Sequence, residues 1–295
     1  MAVPYSDSIA LALGGHHQIK HNGAWRYTED VQVKHSGAWR DTKEVYVKSG
    51  GVWRLIHEGE HFLFNATISS DSNTQWNLST YITGLGYNGN KIKGAVTVDN
   101  IQQRLNLNAY SSDSKVYLRI NTNKAILGQG GNGGTRGGQN GGNGQRALRC
   151  EGTPFILDNG GIIGGGGAGG GGGNNSNCVY QNTNTFSCQK GEQCSEQVQN
   201  QSPAYGGGGG GGAGYPGGQG KDGGNNGQTY DGGGGGASGG CGSNSGGGGG
   251  NLGQDGQNAT GGSGGTKGTG IEGINHRYSQ AGNADGDIRG GTSNT

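Results

Sequence analysis

Gly164-Gly-Gly-Gly-Ala-Gly-Gly-Gly-Gly-Gly173 is the stretch on which the fold turns. It has almost no side chain to bury, so it is either a flexible spacer or a core built from backbone. The glycines around it decide between the two, because they keep a phase of three: Gly128, Gly131, Gly134 and Gly137; Gly214, Gly217, Gly220 and Gly223; Gly247, Gly250, Gly253 and Gly256, then Gly262, Gly265 and Gly268, with Ala259 in the same phase. A spacer has no reason to count in threes. A polyproline-II-like backbone has three residues per turn and no internal hydrogen bonds, so its N–H and C=O groups point outward and need partners on neighbouring chains. The phase therefore predicts a polyglycine II bundle. Its rim segments carry one side chain per turn, as at Gln129, Asn132 and Thr135, and its interior segments are glycine throughout, a requirement met by residues 164–173, 206–212, 232–236 and 246–250.

The chain has 74 glycines in 295 residues, 11 before residue 128 and 63 from there on, and is 28% hydrophobic. A globular enzyme of ordinary composition, about 45–50% apolar, does not fill it. Four prolines exclude collagen. A net charge of +1 gives no electrostatic footprint for nucleic acid. No apolar run is long enough to cross a bilayer, so no membrane insertion is expected. The opening Met1-Ala-Val-Pro-Tyr-Ser-Asp7 lacks the basic and apolar regions of a signal peptide, which predicts synthesis in the cytoplasm.

Three regions follow, 1–60, 61–127 and 128–295, for a mainly β fold overall. In the first, Trp25-Arg26, Trp39-Arg40 and Trp53-Arg54 recur every 14 residues, each after an alternating strand and an Asn-Gly, Ser-Gly or Gly-Gly turn, which predicts β-hairpin repeats. Trp and Arg are the residues most enriched at binding hot spots, so these six are the candidate attachment residues. His21 and His35 occupy equivalent repeat positions, too sparse a spacing for a metal site. The middle region is β-rich: 62–68, 94–98, 104–108 and 115–120 read as strands and 76–83 as a short helix ended by Gly84. It carries no nucleophile elbow, phosphate loop or paired His and Asp, so neither catalysis nor a cofactor is expected. Ile126, Leu127, Ile162 and Ile163, and further on Ile271 and Ile274, are expected to seal the bundle onto this region.

Polar inserts separate the glycine runs, the longest spanning 174–205. Loops of Tyr, Asn, Ser and Gly on a rigid frame have the chemistry of antibody paratopes, where aromatic anchors supply contact area. Recognition is therefore placed on Tyr180, Asn182, Thr185, Phe186, Tyr205, Tyr215 and Tyr230. Five cysteines, Cys150, Cys178, Cys188, Cys194 and Cys241, leave one unpaired within a monomer and do not match a zinc ribbon.

The glycine blocks alternating with polar inserts, as at 164–173, 206–214 and 232–250, resemble the distal tail-fibre adhesins of T-even-type bacteriophages. The segment from Trp76-Asn-Leu78 through Ile126-Leu-Gly-Gln-Gly-Gly-Asn-Gly-Gly134 is similar to one found in other phage tail-fibre and tail-tip proteins. The resemblance spans residues 62–295. It implies a polyglycine II sandwich at the tip of a virion fibre, loops that bind a bacterial surface receptor, usually an outer-membrane protein rather than a polysaccharide, and attachment to other tail or fibre proteins. The Trp-Arg repeats depart from the attachment region of those adhesins. The competing readings are a structural tail component without receptor contact and an ice-binding protein, the latter disfavoured by irregular Asn, Gln and Tyr inserts where a flat Thr/Ala face is needed.

Overall fold

In the computed structural model, which describes residues 18–21, 24–27, 32–41, 44–49, 52–58, 61–87, 89, 91–187, 193–239, 243–280 and 287–294, the protein is mainly β with one short α-helix among the described residues. The 14-residue period becomes three antiparallel strand pairs, β1 (Gln18–His21) with β2 (Ala24–Tyr27), β3 (Gln32–His35) with β4 (Ala38–Asp41), and β5 (Glu44–Ser49) with β6 (Val52–Glu58). Each sets a Lys opposite the Trp: Lys20 and Trp25, Lys34 and Trp39, Lys48 and Trp53. Ser36 and Gly37 both have positive φ, 52° and 84°, the conformation a two-residue hairpin turn demands.

From residue 61 the chain winds through three sheets in turn, and every strand pair in them is parallel. The first sheet stacks β7 (His61–Ile68), β9 (Lys91–Val98), β12 (Lys115–Ile120), β15 (Phe155–Asn159) and β20 (Arg277–Gln280). The second stacks β10 (Ile101–Gln103), β13 (Ala125–Leu127), β16 (Ile162–Gly164) and β21 (Asp287–Arg289). The third stacks β8 (Trp76–Asn77), β11 (Leu105–Asn106), β14 (Leu148–Arg149), β19 (Ile271–Glu272) and β22 (Thr292–Ser293). Chain order visits first, second and third sheet and then returns, which makes a parallel β-solenoid of triangular section. These sheets cross the division expected at residue 127, because residues 148–164 and 271–293 complete them. The β-rich unit is therefore not confined to 61–127, and the glycine segments are insertions between the second and third sheets: 128–147 leaves one coil and 165–270 the next.

Inward residues of successive coils stack in register. Ala66, Val96, Leu118 and Leu157 form one stack and Phe64, Gly94, Val116 and Phe155 another, all buried. Gly94 is glycine because a Cβ there would overlap the Phe64 ring. The helix α1 (Leu78–Gly84) buries Leu78 and Ile82 in the same core. It begins two residues later than the sequence predicts, because Trp76 and Asn77 are strand and the Asn77 side chain accepts the Thr80 N–H at 3.3 Å as an N-cap.

In the insertions backbone bonds replace side-chain packing. Gly128, Gly131, Gly134 and Gly137 donate to the carbonyls of Gly164, Gly167, Gly170 and Gly173 at 2.8–2.9 Å. The pairing advances by three at each step and continues the sheet register that sets Leu127 beside Gly164. Segment 164–174 bonds to six others, namely 128–137, 139–146, 206–214, 244–253, 254–260 and 262–269. Segment 206–214 likewise bonds to 128–134, 164–174, 216–222, 224–228, 231–237 and 244–250. Residues 164–173 and 206–214 are buried throughout. Segment 232–236, expected inside, lies at the rim: Gly234 and Gly235 are exposed, and among the described residues 231–237 bonds to 206–214, 224–228 and 244–252, whereas 246–250, with Gly247 and Gly250 buried, bonds to both interior segments. Most interior positions require glycine, Ala168 and Ala213 being the buried exceptions, but a rim position tolerates glycine too.

Rim donators that face away from the bundle are met by side-chain carbonyls. Asn132 accepts from Gln219 N (2.8 Å), Asn140 from Ser263 N (2.9 Å), Asn143 from Thr266 N (2.9 Å), Asn226 from Gly220 N (2.9 Å), Asn251 from Gly232 N (2.9 Å) and Asn258 from Gly264 N (2.8 Å). Each amide stands in for a missing neighbouring backbone.

The expected seal divides by strand alternation. Leu127 and Ile162 face the bundle, in a small apolar cluster with Ala125, Ile101, Ala213, Leu252 and Tyr215. Ile126 and Ile163 turn the other way, into the solenoid core, as does Ile271, while Ile274 packs against that core.

Two outcomes follow for stability. At Gly209 an added Cβ would overlap the Gly170 carbonyl, whereas at Gly234 it meets only the Asn225 side-chain amide at 3.6 Å. Gly209→Ala is expected to cost about 1–3 kcal/mol and Gly234→Ala within about 0.5 kcal/mol, read as Tm by calorimetry; equal losses would contradict an interior and a rim. Secondly, burial, with a lesser contribution from Tyr87, pushes the Tyr110 hydroxyl up to about 12, and its oxygen is buried without a hydrogen-bond partner. The folded state holds that proton more tightly than the unfolded chain, so its contribution is full below pH 10 and is lost as pH rises from 10 through 12. Tyr110→Phe should flatten the alkaline limb of a stability-against-pH curve.

Candidate receptor-binding end of the glycine bundle

The hydrogen-bond register sorts the loops into two ends. Residues 128, 164, 214 and 252 lie where the bundle meets the solenoid, since Gly128 bonds to Gly164, Gly167 to Ala213 and Gly253 to Gly165. Nine residues along, Gly173 bonds to Gly207 and Asn174 to Thr260 at the other end.

The far end gathers the turns at 135–139, 221–224 and 260–262, residues 237–239, and the described part of the long insert. Most of that insert is a two-stranded antiparallel ribbon, β17 (Ser176–Ser187) with β18 (Gln193–Ala204), 12 residues in each strand and without a register shift. It has no third strand among the described residues. Its described side chains are mostly exposed, including Asn177, Val179, Asn184, Glu196 and Asn200, with Val179 at 55%. The sequence reading missed this ribbon because it is polar on both faces and shows no alternation. The available signal was the scarcity of glycine, Gly191 alone, between two glycine-rich runs, with β-branched Val179, Thr183, Thr185 and Val198 there.

The base of the ribbon is pinned. Tyr205, 48% exposed, lies under Arg136, whose guanidinium carbon is 4.4 Å from the ring centroid. The Tyr205 carbonyl accepts the Gly239 N–H at 2.8 Å, Asn175 Oδ1 accepts the Gly206 N–H at 3.0 Å, and Asp222 Oδ2 accepts the Arg136 N–H at 2.8 Å. Three turns of the far end are thereby tied to the ribbon they surround.

The structure brings together some of the recognition residues and parts others. Tyr180, Asn182, Thr185 and Phe186 all stand on β17, opposite Asn200, Val198, Ser195 and Cys194, and Tyr205 lies at the ribbon's foot. Tyr215 and Tyr230 are at the opposite end. Tyr215 packs on the junction cluster, and Tyr230 accompanies Leu252, whose N–H bonds to its carbonyl at 3.1 Å. Arg26, Arg40 and Arg54 stand opposite Ile19, Val33 and Val47 in their hairpins.

Cys150 is a free thiol buried in the solenoid, and burial, reinforced by Glu272, pushes its pKa well up, which makes it a packing residue and no nucleophile. Cys178 and Cys194 stand opposite Ser202 and Phe186, while Cys188 and Cys241 lie outside the described residues. No group of three or more His, Cys, Asp or Glu side chains able to hold a metal occurs among the described residues, and no helix there is long and apolar enough to cross a membrane.

The family described as phage tail fibre adhesin Gp38 matches residues 63–293. Among solved structures, the crystal structure of the gp37–gp38 adhesin tip complex of the bacteriophage S16 long tail fibre is similar at 20% identity and a TM-score of 0.42, covering 80% of this chain and 84% of that one. No curated protein matches the sequence. The family match runs from β7 to β22, the whole solenoid with both glycine insertions, and so the chain belongs to the phage tail fibre adhesin Gp38 family.

Proposed function

We propose that this adhesin is the non-enzymatic receptor-binding tip of a tail fibre in the virion, and that it contacts the bacterial surface with the far end of its glycine bundle. The observation that carries this reading is the gathering of one long exposed ribbon and several polar turns at the end away from the solenoid, with Tyr205 and Arg136 at its centre. Function concentrates on loops held by a rigid frame, and Tyr and Arg are the side chains that most often dominate an interface. Tyr180, Asn182, Thr185, Phe186 and Tyr205 are the contact residues on this reading.

The glycine segments act as polyglycine II helices. In support, their bonds advance by three residues, two segments each meet six others, and their N–H and C=O groups pair between segments. The three N-terminal strand pairs, with Trp25, Arg26, Trp39, Arg40, Trp53 and Arg54, attach the protein to another fibre or tail protein. Their regular repeat and the enrichment of Trp and Arg at interfaces support this assignment.

The test is adsorption. Purified protein should bind host cells and block infection, and exchanging residues 174–205 for the insert of a relative should shift host range; unchanged host range would favour a structural fibre component. Tyr205→Ala should weaken adsorption by roughly 30-fold, the effect of a hot-spot residue worth about 2 kcal/mol. Tyr215→Ala should lower Tm and leave adsorption intact. The reverse pattern would move recognition to the solenoid end.

A further inference from the structure

We propose that the groove where the glycine segments return to the solenoid binds a small tetrahedral oxyanion, phosphate or sulfate, between Arg104, Arg146 and Lys267. The groove is about 360 Å³ and polar, and Thr266 and Thr269 also line it. Arg104 sits in the corner between β10 and β11, Arg146 at the end of segment 139–146, and Lys267 near the end of 262–269. One site thus draws a cation from the solenoid and one from each insertion.

Arg104 is held there at a cost. Its φ is 39°, a left-handed conformation that an arginine rarely adopts, and it is fixed from both sides: its N–H donates to Leu127 O and its carbonyl accepts from Trp76 N, both at 3.0 Å. Its Nε is buried with no hydrogen-bond partner, a desolvated donor left unpaid. Burial and the neighbouring Arg146 both push its pKa down. The carboxylate that faces the groove, Glu272, is already engaged by Arg146 at 3.1 Å and Arg149 at 3.3 Å. Asp255 Oδ1 accepts the backbone N–H of Lys267 at 2.8 Å. The orphaned donor and the crowded positive charge are both answered by a dianion that takes two N–H bonds from a guanidinium, while the fixed left-handed backbone holds the arginine in place. A free phosphate fits, and the volume also leaves room for the sugar of a phosphate monoester.

Because the ligand would tie the solenoid to both insertions, it should stabilise the native state by mass action. With the full-length protein at matched ionic strength, phosphate at about ten times its dissociation constant should raise Tm by roughly 3–6 °C over chloride. Arg104→Gly suits the left-handed backbone, so this variant should fold with a Tm close to the parent's in chloride and lose the phosphate shift. Arg146→Gln should also lose it, and Lys221→Gln, at the far end, should keep it. A shift with inorganic phosphate identifies the free anion, and one with glucose 6-phosphate alone identifies an ester. Absence of any shift with either ligand, or an undiminished shift in Arg104→Gly, would overturn the proposal. Adsorption to cells is a separate readout, so this result does not depend on the receptor-binding reading.

Discussion

The interaction on which the rest of the structure depends is the hydrogen bond between glycine backbones that no Cβ keeps apart. At Gly165, Gly169, Gly172, Gly207 and Gly210 an added Cβ would overlap a neighbouring carbonyl oxygen. This close approach is what lets segment 164–174 bond to six others. The bundle buries little apolar area of its own, chiefly Ala168, Ala213 and Leu252. A net backbone hydrogen bond is worth about 0.5–1.5 kcal/mol, while fixing a residue costs about 1–2 kcal/mol, and more for glycine. A bundle of this kind is close to balance alone, and it needs a frame that has already brought its chains together.

The solenoid is that frame. Its hydrophobic core, with Leu118, Leu157, Phe155 and Ile126 fully buried, fixes the coils. Two consecutive coils then launch the insertions side by side. The β13 and β16 pairing places Leu127 opposite Gly164, and the next bond, Gly128 N to Gly164 O at 2.8 Å, already belongs to the bundle. Sheet register thus becomes bundle register without a loop between them. The far-end turns inherit their positions from it, and the ribbon of β17 and β18 stands on a base held by Tyr205, Arg136 and Asp222.

Much of this was legible in the sequence because the physical constraint is local. A three-residue glycine phase is also the step of the hydrogen bonds, and the glycine runs of 164–173, broken only by Ala168, and 206–212 coincide with the two segments that have six neighbours. Composition alone did not separate 232–236 from them, since nothing prevents a rim segment from being glycine. The solenoid was only half visible: β7, β9 and β12 are long enough to show strand character, but β8, β11, β14, β19 and β22 are two residues each and have no period to read. Their membership depends on stacking against coils distant in sequence. Asn132 reads in the sequence as a rim side chain, but that it, Asn140 and Asn143 complete the backbone ladder there is set by which neighbour is missing. Tyr215 and Tyr230 looked equivalent to Tyr205 because a sequence does not say at which end a turn falls.

The central claim is that glycine backbone forms the interior of the glycine-rich half of the molecule. Amide hydrogen exchange of the intact protein, resolved along the chain, tests it most directly. The account predicts that residues 164–173 and 206–214 are among the most protected in the protein, comparable to the solenoid strand Lys115–Ile120, and that exposed glycines such as Gly234 and Gly235 exchange far sooner. Uniformly fast exchange across both glycine runs would contradict it and return the region to a flexible spacer.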